Sequence, residues 1–444
     1  MRTPRYQPIV DELSARIRAG GLPPGTQLPT VRALMKQHGI ALATAARVYA
    51  ELEAVGLVVG ETGRGTFVRD TSLPRGLGLE QHPSRSSAID LTFNYPSLPG
   101  QAEQLREGLR ALAASGDIDA LLHSAPQGGR PHERQTVARH LRNRGLRLPG
   151  EQVLIVNGAQ QGIACGVTAL LQPGDVLAVD ALTYPGMKAL AQAWRLELAP
   201  VPAREGCMDL DLLEAMCKKR PVRAVYAMPT LHNPLGSVMT EAQRQRLAEL
   251  AERHDLILIE DGAYAFLAEP APKPLFTHAP DRTLYVSGLS KSVASGLRIG
   301  FVAAPARWIP ALERAIRVST WHTPSLTVAL ACQWIEQGVV DALELHKRRD
   351  ARRRQHLARR ILQGGAIQAH PASYYLWLTM PGHLRADDVA SELKRHGVLV
   401  TTAEPFATTA SVPQALRIAL GSTPLNALDA ALHLVGLESR IGDV

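Results

Sequence analysis

The chain has 444 residues, a hydrophobic fraction of 45% and a charged fraction of 20%, which are typical of a globular protein with more than one domain. No apolar run reaches the roughly 18 residues that a membrane span needs, and the Arg-containing N-terminus does not resemble a signal peptide, so we expect a cytoplasmic protein without membrane contact. The formal net charge of +8 permits a nucleic-acid partner but does not require one.

The first 69 residues have the pattern of three helices followed by a β-hairpin. Apolar residues at helical spacing predict amphipathic first and third helices: Ile9, Leu13 and Ile17 in the first, and Val48, Leu52 and Val55 in the third. Between them, Thr30 is a suitable N-cap for a short helix over 31–38 that ends at Gly39. Two short apolar runs, 57–59 and 65–68, flank a basic turn and predict a hairpin. Three helices and a hairpin describe a winged helix-turn-helix.

Three segments of this region resemble the DNA-binding domain of GntR-type regulators: 28–32, 46–52 and 63–68. The resemblance implies four DNA contacts: Arg32 on a backbone phosphate, Thr44 and Arg47 on the recognition helix, and Arg64 at the tip of the wing. The family usually has an arginine and a small polar residue where this chain has Leu42 and Ala43, and arginine to guanine is a common base contact. An alternative is therefore a winged helix that serves contacts between domains or subunits.

Residues 70–88 are rich in Gly, Ser, Pro and Arg without apolar periodicity, which predicts a linker. The chain is thereby divided into a winged helix-turn-helix at 1–69, a linker at 70–88 and a larger domain at 89–444. Between residues 150 and 305 short apolar strands alternate with helices such as 241–253, which predicts a parallel sheet covered on both faces. A smaller α+β lobe is predicted at the end of the chain, with strands near 373–378 and 416–420.

A lysine between hydroxyl groups follows the apolar strand at 283–286. Lys291 lies in a small-residue turn, and in a partly dehydrated pocket a lysine can act as an amine and form a Schiff base. Ser287, Ser290 and the guanidinium of Arg298 offer hydrogen bonds suited to a phosphate. This stretch predicts a site for a phosphorylated carbonyl compound.

Other polar residues follow predicted strands in the same way: Gly158 with Ala159 and Gln160, then Tyr184, Asn233, and Asp261 with Tyr264. The glycine turn at 157–162 opens a helix, where free backbone N–H groups favour an anion. Because open α/β sheets bind ligands in the loops that follow their strands, we expect these residues to share a site with Lys291.

Together these residues resemble the fold-type I, aspartate-aminotransferase-like family of pyridoxal 5′-phosphate (PLP) proteins, over nearly the whole chain after residue 88. The resemblance implies that Lys291 forms the Schiff base with PLP, that Asp261 pairs with the pyridinium nitrogen, and that Tyr184 stacks on the ring. The remaining cofactor contacts that it implies are Asn233 and Tyr264 to the ring hydroxyl, and the 158–160 turn (Gly158, Ala159, Gln160) with Ser287, Ser290 and Arg298 to the phosphate.

Other segments bear on the effector and on catalysis. Residues 94–96 resemble the family's N-terminal pocket segment. Arg417, in a predicted apolar strand, needs an anionic partner, either a structural ion pair or the effector carboxylate that the resemblance implies. Ser124 stands where the family commonly has a tyrosine, which weakens the case for full aminotransferase chemistry. The basic run at 346–354 indicates either a solvated helix face or a second DNA contact.

Both resemblances together identify the MocR group of GntR-type regulators. They imply a PLP-dependent transcriptional regulator that binds operator DNA, responds to PLP or to an amine or amino-acid effector, and forms a homodimer. Two alternatives stay open: an active PLP-dependent aminotransferase with an accessory winged helix, and a PLP-binding interaction protein that does not bind DNA. Neither a metal site nor a disulfide is expected, because the four cysteines are widely spaced: Cys165, Cys207, Cys217 and Cys332.

Overall fold

The structure is a computed structural model, and it describes residues 6–61, 64–69, 88–115 and 118–441. The predicted linker lies outside the described residues except for Ala88, and so do Thr62 and Gly63 of the predicted hairpin turn. Within the described ranges, no helix combines the length and the apolar character that a membrane span requires.

The N-terminal region, residues 6–69, is a winged helix. Its elements are α1 (Gln7–Arg18), α2 (Val31–His38), α3 (Leu42–Ala54), β1 (Val58–Glu61) and β2 (Gly65–Val68). The predicted cap of α2 is confirmed, since Oγ1 of Thr30 accepts a hydrogen bond from the backbone N–H of Ala33 at 3.2 Å. The prediction that Val55 is buried is wrong: it is 45% exposed, because α3 ends at Ala54 and the chain turns away there.

The remainder of the described chain is built from strands and helices in alternation. Its strands are β3 (Ile89–Asp90), β4 (Val153–Val156), β5 (Val176–Asp180), β6 (Glu197–Val201), β7 (Ala203–Arg204), β8 (Cys207–Met208), β9 (Val222–Ala227), β10 (Ile257–Asp261), β11 (Thr283–Gly288), β12 (Gly300–Ala303), β13 (Ala366–Gln368), β14 (Tyr375–Thr379), β15 (Val398–Leu399), β16 (Thr401–Thr402) and β17 (Ala415–Ala419). Its helices are α4 (Gln101–Ser115), α5 (Ile118–Leu122), α6 (Pro131–Leu141), α7 (Ala159–Leu170), α8 (Pro185–Ala193), α9 (Leu210–Lys219), α10 (Glu241–Arg253), α11 (Leu275–His278), α12 (Ile309–Ser319), α13 (Ser325–Glu336), α14 (Val339–Ile361), α15 (Ala386–Arg395) and α16 (Leu425–Glu438).

Seven strands form the central sheet, in the order β4-β12-β11-β10-β9-β5-β6. Neighbouring strands are parallel except β12, which is antiparallel to both β11 and β4, so the prediction of a parallel sheet is wrong for this strand. The reason is the connection 289–299 between β11 and β12, which is too short to carry a crossover helix. Lys291 and Arg298 both lie on this connection.

Strand β4 forms one edge of the central sheet, and its four residues are all buried. On its outer side, the N–H of Ile155 donates to the carbonyl of Gly128 at 2.8 Å, and the carbonyl of Ile155 accepts from Oγ1 of Thr323 at 3.3 Å. Gly128 has φ +83°, and a Cβ there would lie 2.4 Å from Cδ2 of Leu154. A glycine is therefore required for the 126–129 segment to lie against this edge.

The small lobe contains a four-stranded sheet in the order β13-β14-β17-β16, on which parts of α14, α15 and α16 pack. Strand β15 pairs with β3, so the beginning of the large domain belongs to this lobe. The basic run on α14 is not a solvated face throughout. Lys347 and Arg354 are 0% and 6% exposed, because residues seven apart lie on the same side of a helix and this side faces inward. The exposed face carries Arg349, Arg352 and Arg353.

The winged helix contacts the small lobe through its wing. Arg69, which follows β2, forms an ion pair with Glu404 in the loop before β17. The guanidinium of Arg385, just before α15, lies 4.1 Å from the ring centroid of Phe67 in β2. Charged and aromatic side chains thus join the two parts of the chain.

Candidate functional site

A cavity of about 300 Å³ lies where the central strands end, beside the small lobe. The structure brings most of the predicted site residues together in its lining: Ala159, Gln160, Tyr184, Asn233, Asp261, Tyr264, Ser290, Lys291, Arg298 and Arg417. Asn94 and Tyr95, in the segment predicted to resemble a pocket wall, also line it. Residues that were not predicted from the sequence complete the wall, among them Thr92, Phe93, Met228, Thr401 and Phe406.

Lys291 extends into this cavity from the connection between β11 and β12. Its Nζ donates a hydrogen bond to the carbonyl of Asn94 at 2.6 Å. The same atom lies 5.3 Å from the ring centroid of Tyr95 and 5.9 Å from that of Tyr264. Within the described ranges Lys291 forms no ion pair with a carboxylate. Its amine is therefore placed by one carbonyl and two aromatic rings, which leaves it open to a ligand.

Asp261 ends β10 and presents a buried carboxylate, 3% exposed, to the cavity. Its Oδ2 accepts a hydrogen bond from the hydroxyl of Tyr226 at 2.7 Å, and its Oδ1 accepts one from the N–H of Ala263 at 2.9 Å. Burial raises the pKa of Asp261, and the hydrogen bond from Tyr226 opposes this rise. A protonated ring nitrogen at this position would compensate the buried charge, so the residue fits a cationic heteroaromatic ligand.

Another part of the cavity wall is suited to hold an anion. Helix α7 begins directly after Gly158, and its first N–H groups have no partners within the helix. Arg298, at φ +51°, lies beside this turn, with Nη1 donating to Oγ of Ser290 at 3.4 Å and Nη2 donating to the carbonyl of Asn157 at 3.3 Å. Gly158 has φ +89°, and a Cβ there would lie 2.5 Å from Nη2 of Arg298. The close approach of the arginine thus requires a glycine.

Two predicted phosphate contacts lie outside the lining of the cavity. Gly158 shapes the turn, but no side chain projects from it. Ser287 is directed elsewhere, since its Oγ donates to the carbonyl of Gly262 at 3.2 Å. It lies within β11, where alternate side chains point to opposite faces of the sheet. Of the two predicted serines, the structure places only Ser290 beside Arg298.

Several buried polar atoms of the lining have no hydrogen-bond partner within the described chain: Oδ1 of Asn233, Oε1 of Gln160 and Nε of Arg417. Arg417 is 5% exposed, its Nη1 donates to the carbonyl of Thr92 at 2.7 Å, and its guanidinium lies 5.1 Å from the ring centroid of Tyr375. Burial lowers the pKa of Arg417. None of the described carboxylates forms an ion pair with Arg417. The first of the two predicted alternatives, a structural ion pair, is therefore not formed within the described residues. An anionic ligand would satisfy Arg417.

The predicted DNA-binding residues lie on the winged helix, and two of them contact carboxylates. Nη2 of Arg47 lies 2.6 Å from Oε1 of Glu51, with 61% of the arginine side chain exposed. Nη1 of Arg64 lies 3.6 Å from Oε2 of Glu61, with 32% of its side chain exposed. Arg32 is exposed and Thr44 is half-buried. Leu42, where the family usually has an arginine, is the first residue of α3 and is 51% exposed.

The chain matches two protein families and resembles regulators over most of its length. Residues 86–434 match the family "Aminotransferase class I and II", and residues 5–68 match "Bacterial regulatory proteins, gntR family". It is 27% identical to the "Uncharacterized HTH-type transcriptional regulator YdeF" of Bacillus subtilis, over 94% of this chain and 90% of that protein. It is also 27% identical to the "Probable rhizopine catabolism regulatory protein MocR" of Rhizobium meliloti, over 76% and 72% of the two chains.

Solved structures of aminotransferases share the fold. The α-aminoadipate aminotransferase LysN from Thermus thermophilus, complexed with N-(5′-phosphopyridoxyl)-L-leucine, superposes with a TM-score of 0.73 at 22% identity, covering 80% of this chain and 92% of that one. An archaeal alanine:glyoxylate aminotransferase gives 0.74 at 21% identity, covering 95% and 97%. The chain therefore belongs to the aminotransferase class I and II family and, with its GntR-type winged helix, to the MocR group of GntR-type regulators.

Proposed function

We propose that the protein is a PLP-dependent transcriptional regulator that binds operator DNA through its winged helix and responds to PLP, or to an amine or amino acid, in the cavity. The observation that carries the proposal is the convergence of Lys291, Asp261, Arg298 and Arg417 on one cavity, in a chain that begins with a GntR-type winged helix. The similarity to regulators such as "HTH-type transcriptional regulator TauR" of Rhodobacter capsulatus, at 27% identity over 88% of this chain, supports it. We further propose that the protein acts in the cytoplasm as a homodimer.

The residues of the cavity have distinct tasks in this proposal. When bound, PLP would supply a reactive carbonyl and an electron-withdrawing ring. Arg298, Ser290 and the first N–H groups of α7 would bind its phosphate, and Lys291 would supply the amine for the covalent bond. Asp261 would keep a proton on the ring nitrogen. The ring would be packed by Tyr184 and its hydroxyl bonded by Asn233 and Tyr264.

Arg417 is not among the groups assigned to the cofactor above, and it would bind the effector. Its buried Nε lacks a partner within the described chain, and a carboxylate is the ligand that a guanidinium binds most directly. An amino acid held there would lie in the cavity that Lys291 also lines. The effector class is therefore an amino acid or a related amine with a carboxylate.

A contiguous set of contacts leads from the cavity to the winged helix. Pro405 and Phe406 line the cavity, and the neighbouring Glu404 pairs with Arg69 of the winged helix. Nζ of Lys188, on α8, donates to the carbonyls of Pro405 and Ala407 at 2.8 and 2.6 Å, and so ties this loop to the large domain. A ligand in the cavity would shift an equilibrium between two arrangements of the winged helix only by its differential affinity for these two states. A coupling of about 1–3 kcal/mol would change operator occupancy by several-fold to about a hundredfold.

An active aminotransferase with an accessory winged helix is the second candidate, because the cavity residues that the aminotransferase resemblance assigns to the cofactor ring and to the carboxylate are present. The departure at Ser124 counts against it. This residue is exposed, and it does not line the cavity.

The deciding experiment measures operator binding and turnover on the same purified protein. DNA from the region beside its own gene is titrated with and without PLP and a panel of amino acids, and keto-acid formation is followed in parallel. We expect a reducible covalent PLP adduct on Lys291, operator affinity that changes with the ligand, and slow or no turnover. Lys291→Ala should lose the adduct, whereas Lys218→Ala, an exposed lysine paired with Glu214, should keep it. Multiple turnovers with ligand-independent operator affinity would establish the aminotransferase instead.

A further inference from the structure

Lys347, on α14, is a fully buried amine that none of the site assignments above uses. It is 0% exposed, and its Nζ donates to three backbone carbonyls: Val293 at 2.6 Å, Pro96 at 2.7 Å and Lys291 at 3.2 Å. A lysine ammonium has three N–H donors, so all of them are used. No carboxylate of the described residues forms an ion pair with it.

These three carbonyls belong to the two segments that meet at the cavity wall. Lys291 and Val293 are in the turn that carries the anchoring amine, and Pro96 follows the Asn94 carbonyl that this amine contacts at 2.6 Å. Lys347 therefore links the backbone of the turn that carries the Lys291 amine to the backbone of the 94–96 segment, which provides the carbonyl that this amine contacts. A second, less buried contact joins the turn to α4, since Nε2 of Gln101 donates to the carbonyl of Val293 at 3.1 Å.

Packing alone does not account for a lysine at this position. Two of its neighbours on the inward face of α14, Leu343 and Ala351, are apolar, and an apolar residue at position 347 would avoid the cost of burying an ammonium. Burial lowers the pKa of Lys347 to about 7, and the carboxylate of Asp350 opposes that change. What the lysine provides in exchange is three hydrogen bonds to two separate segments.

We propose that Lys347 is a positioning residue that fixes the turn of Lys291 against the 94–96 segment and so sets the direction in which the Lys291 amine meets a carbonyl compound in the cavity. The side chain of Lys291 is long and flexible, and its reach depends on where its backbone and its Asn94 contact are held. This inference rests on the proposed function for the identity of the carbonyl compound, but not for the geometry.

The first test needs no cofactor. Amide hydrogen exchange is compared between the parent and Lys347→Met, which is unbranched and one atom shorter and removes the donors. Tyr374→Phe is the matched control, because the Tyr374 hydroxyl lies 3.0 Å from both the carbonyl of Lys347 and Oδ2 of Asp350 and so supports the same helix, whereas no described hydrogen bond of this hydroxyl reaches either segment. We expect faster exchange in both 94–98 and 289–296 for Lys347→Met only. Unchanged exchange there, or an equal rise across the whole chain, would overturn the proposal.

The second test separates orientation from affinity. Covalent capture of PLP by Lys347→Met should slow by about tenfold to a hundredfold, since a displacement of about 1 Å costs up to about a hundredfold in rate. The affinity for pyridoxamine 5′-phosphate, which forms no bond with lysine, should stay at the parental value. Equal losses in the rate of PLP capture and in the affinity for pyridoxamine 5′-phosphate would mean that Lys347 has a merely structural role. If Lys347→Met does not fold, Lys347→Gln, which keeps two donors, should give the same pattern with smaller changes. If even the parent captures no PLP, the proposed function fails while the exchange experiment still decides the role of Lys347.

Discussion

Glu61, in the wing, and Arg385, in the small lobe, form a hydrogen-bonded ion pair although 324 residues separate them in the chain. Nε of Arg385 lies 2.6 Å from Oε1 of Glu61, and only 6% of each side chain is exposed. The same carboxyl group is also near Arg64, a predicted DNA contact, at 3.6 Å. The hairpin that docks on the small lobe therefore also carries the predicted DNA contact Arg64.

Arg385→Gln should detach the wing from the small lobe. Removing one member of a buried ion pair typically costs about 3–5 kcal/mol, but here the wing can separate and return Glu61 to water, so the loss appears as undocking and not as unfolding. We expect faster amide exchange over 58–68 with little change in the central sheet. Arg395→Gln, an exposed arginine on the adjacent α15, is the control. Equal exchange in parent and variant would show that the pair does not hold the wing.

Asp261→Asn should weaken PLP binding by about one to two orders of magnitude. The amide keeps the shape of the carboxylate but removes the charge that faces the ring nitrogen, and a charge-assisted hydrogen bond is worth about 1.5–3 kcal/mol. Tyr226→Phe removes a hydrogen bond to Asp261 and keeps its charge, so we expect a smaller loss. Affinities come from absorbance titrations. An unchanged titration for Asp261→Asn would exclude this residue as the partner of the ring.

Arg47→Gln should flatten the salt dependence of operator binding. Each lost phosphate contact reduces the slope of log affinity against log salt by about 0.9. The arginine is 61% exposed and its pair with Glu51 is on the surface, so the pair competes only weakly with DNA. Arg106→Gln, equally exposed on α4 and paired with Glu103, should leave the slope unchanged. If the gel-shift series of both variants coincide with the parent, the winged helix serves contacts other than DNA.

Glu260 should make the free energy of unfolding fall as the pH rises toward neutrality. Burial raises its pKa from 4.5 to about 7, so between these values the folded state keeps a proton that the unfolded state releases. This stabilisation, about 3 kcal/mol, is fully present below pH 4.5 and is lost as the pH rises through the pKa of the folded state.

Glu260→Gln should remove this pH-dependent component from urea unfolding curves recorded between pH 5 and 7, whereas the exposed Glu249→Gln should not. His140, whose pKa burial lowers to about 4, acts in the opposite direction, so each variant is compared with the parent. If the free energy of unfolding changes with pH to the same extent in the parent and in Glu260→Gln, the raised pKa does not belong to Glu260.

The fold was predictable where apolar periodicity and turn residues agree. The core of the winged helix at Ile9, Leu13, Val48 and Leu52, and the helix over Glu241–Arg253, follow from such patterns. The direction of β12 could not be predicted, because β12 has the same apolar pattern as the parallel strands of the sheet. Only the length of the connection 289–299 distinguishes it.

The lining of the cavity was predictable where side chains lie at or shortly after the end of a strand, as Asp261 and Lys291 do. Residues that support the site from the interior of a strand or helix could not be recognised from the sequence around them. Tyr226 lies inside the mostly apolar β9 and donates a hydrogen bond to Asp261, and Lys347 is hidden in a run of basic residues that resembles a solvated face. Ser287 shows the opposite case. Its position shortly before Lys291 in the sequence indicated a phosphate contact, but within β11 its Oγ donates to the carbonyl of Gly262.

The covered edge of β4 limits how two copies of this chain could associate. An exposed, fully apolar edge strand is a template for pairing with another chain and for aggregation. Here both outward backbone groups of Ile155 are occupied, by Gly128 and by Thr323, within the same molecule. A continuous sheet running from one protomer into the next is therefore blocked at this edge of the central sheet.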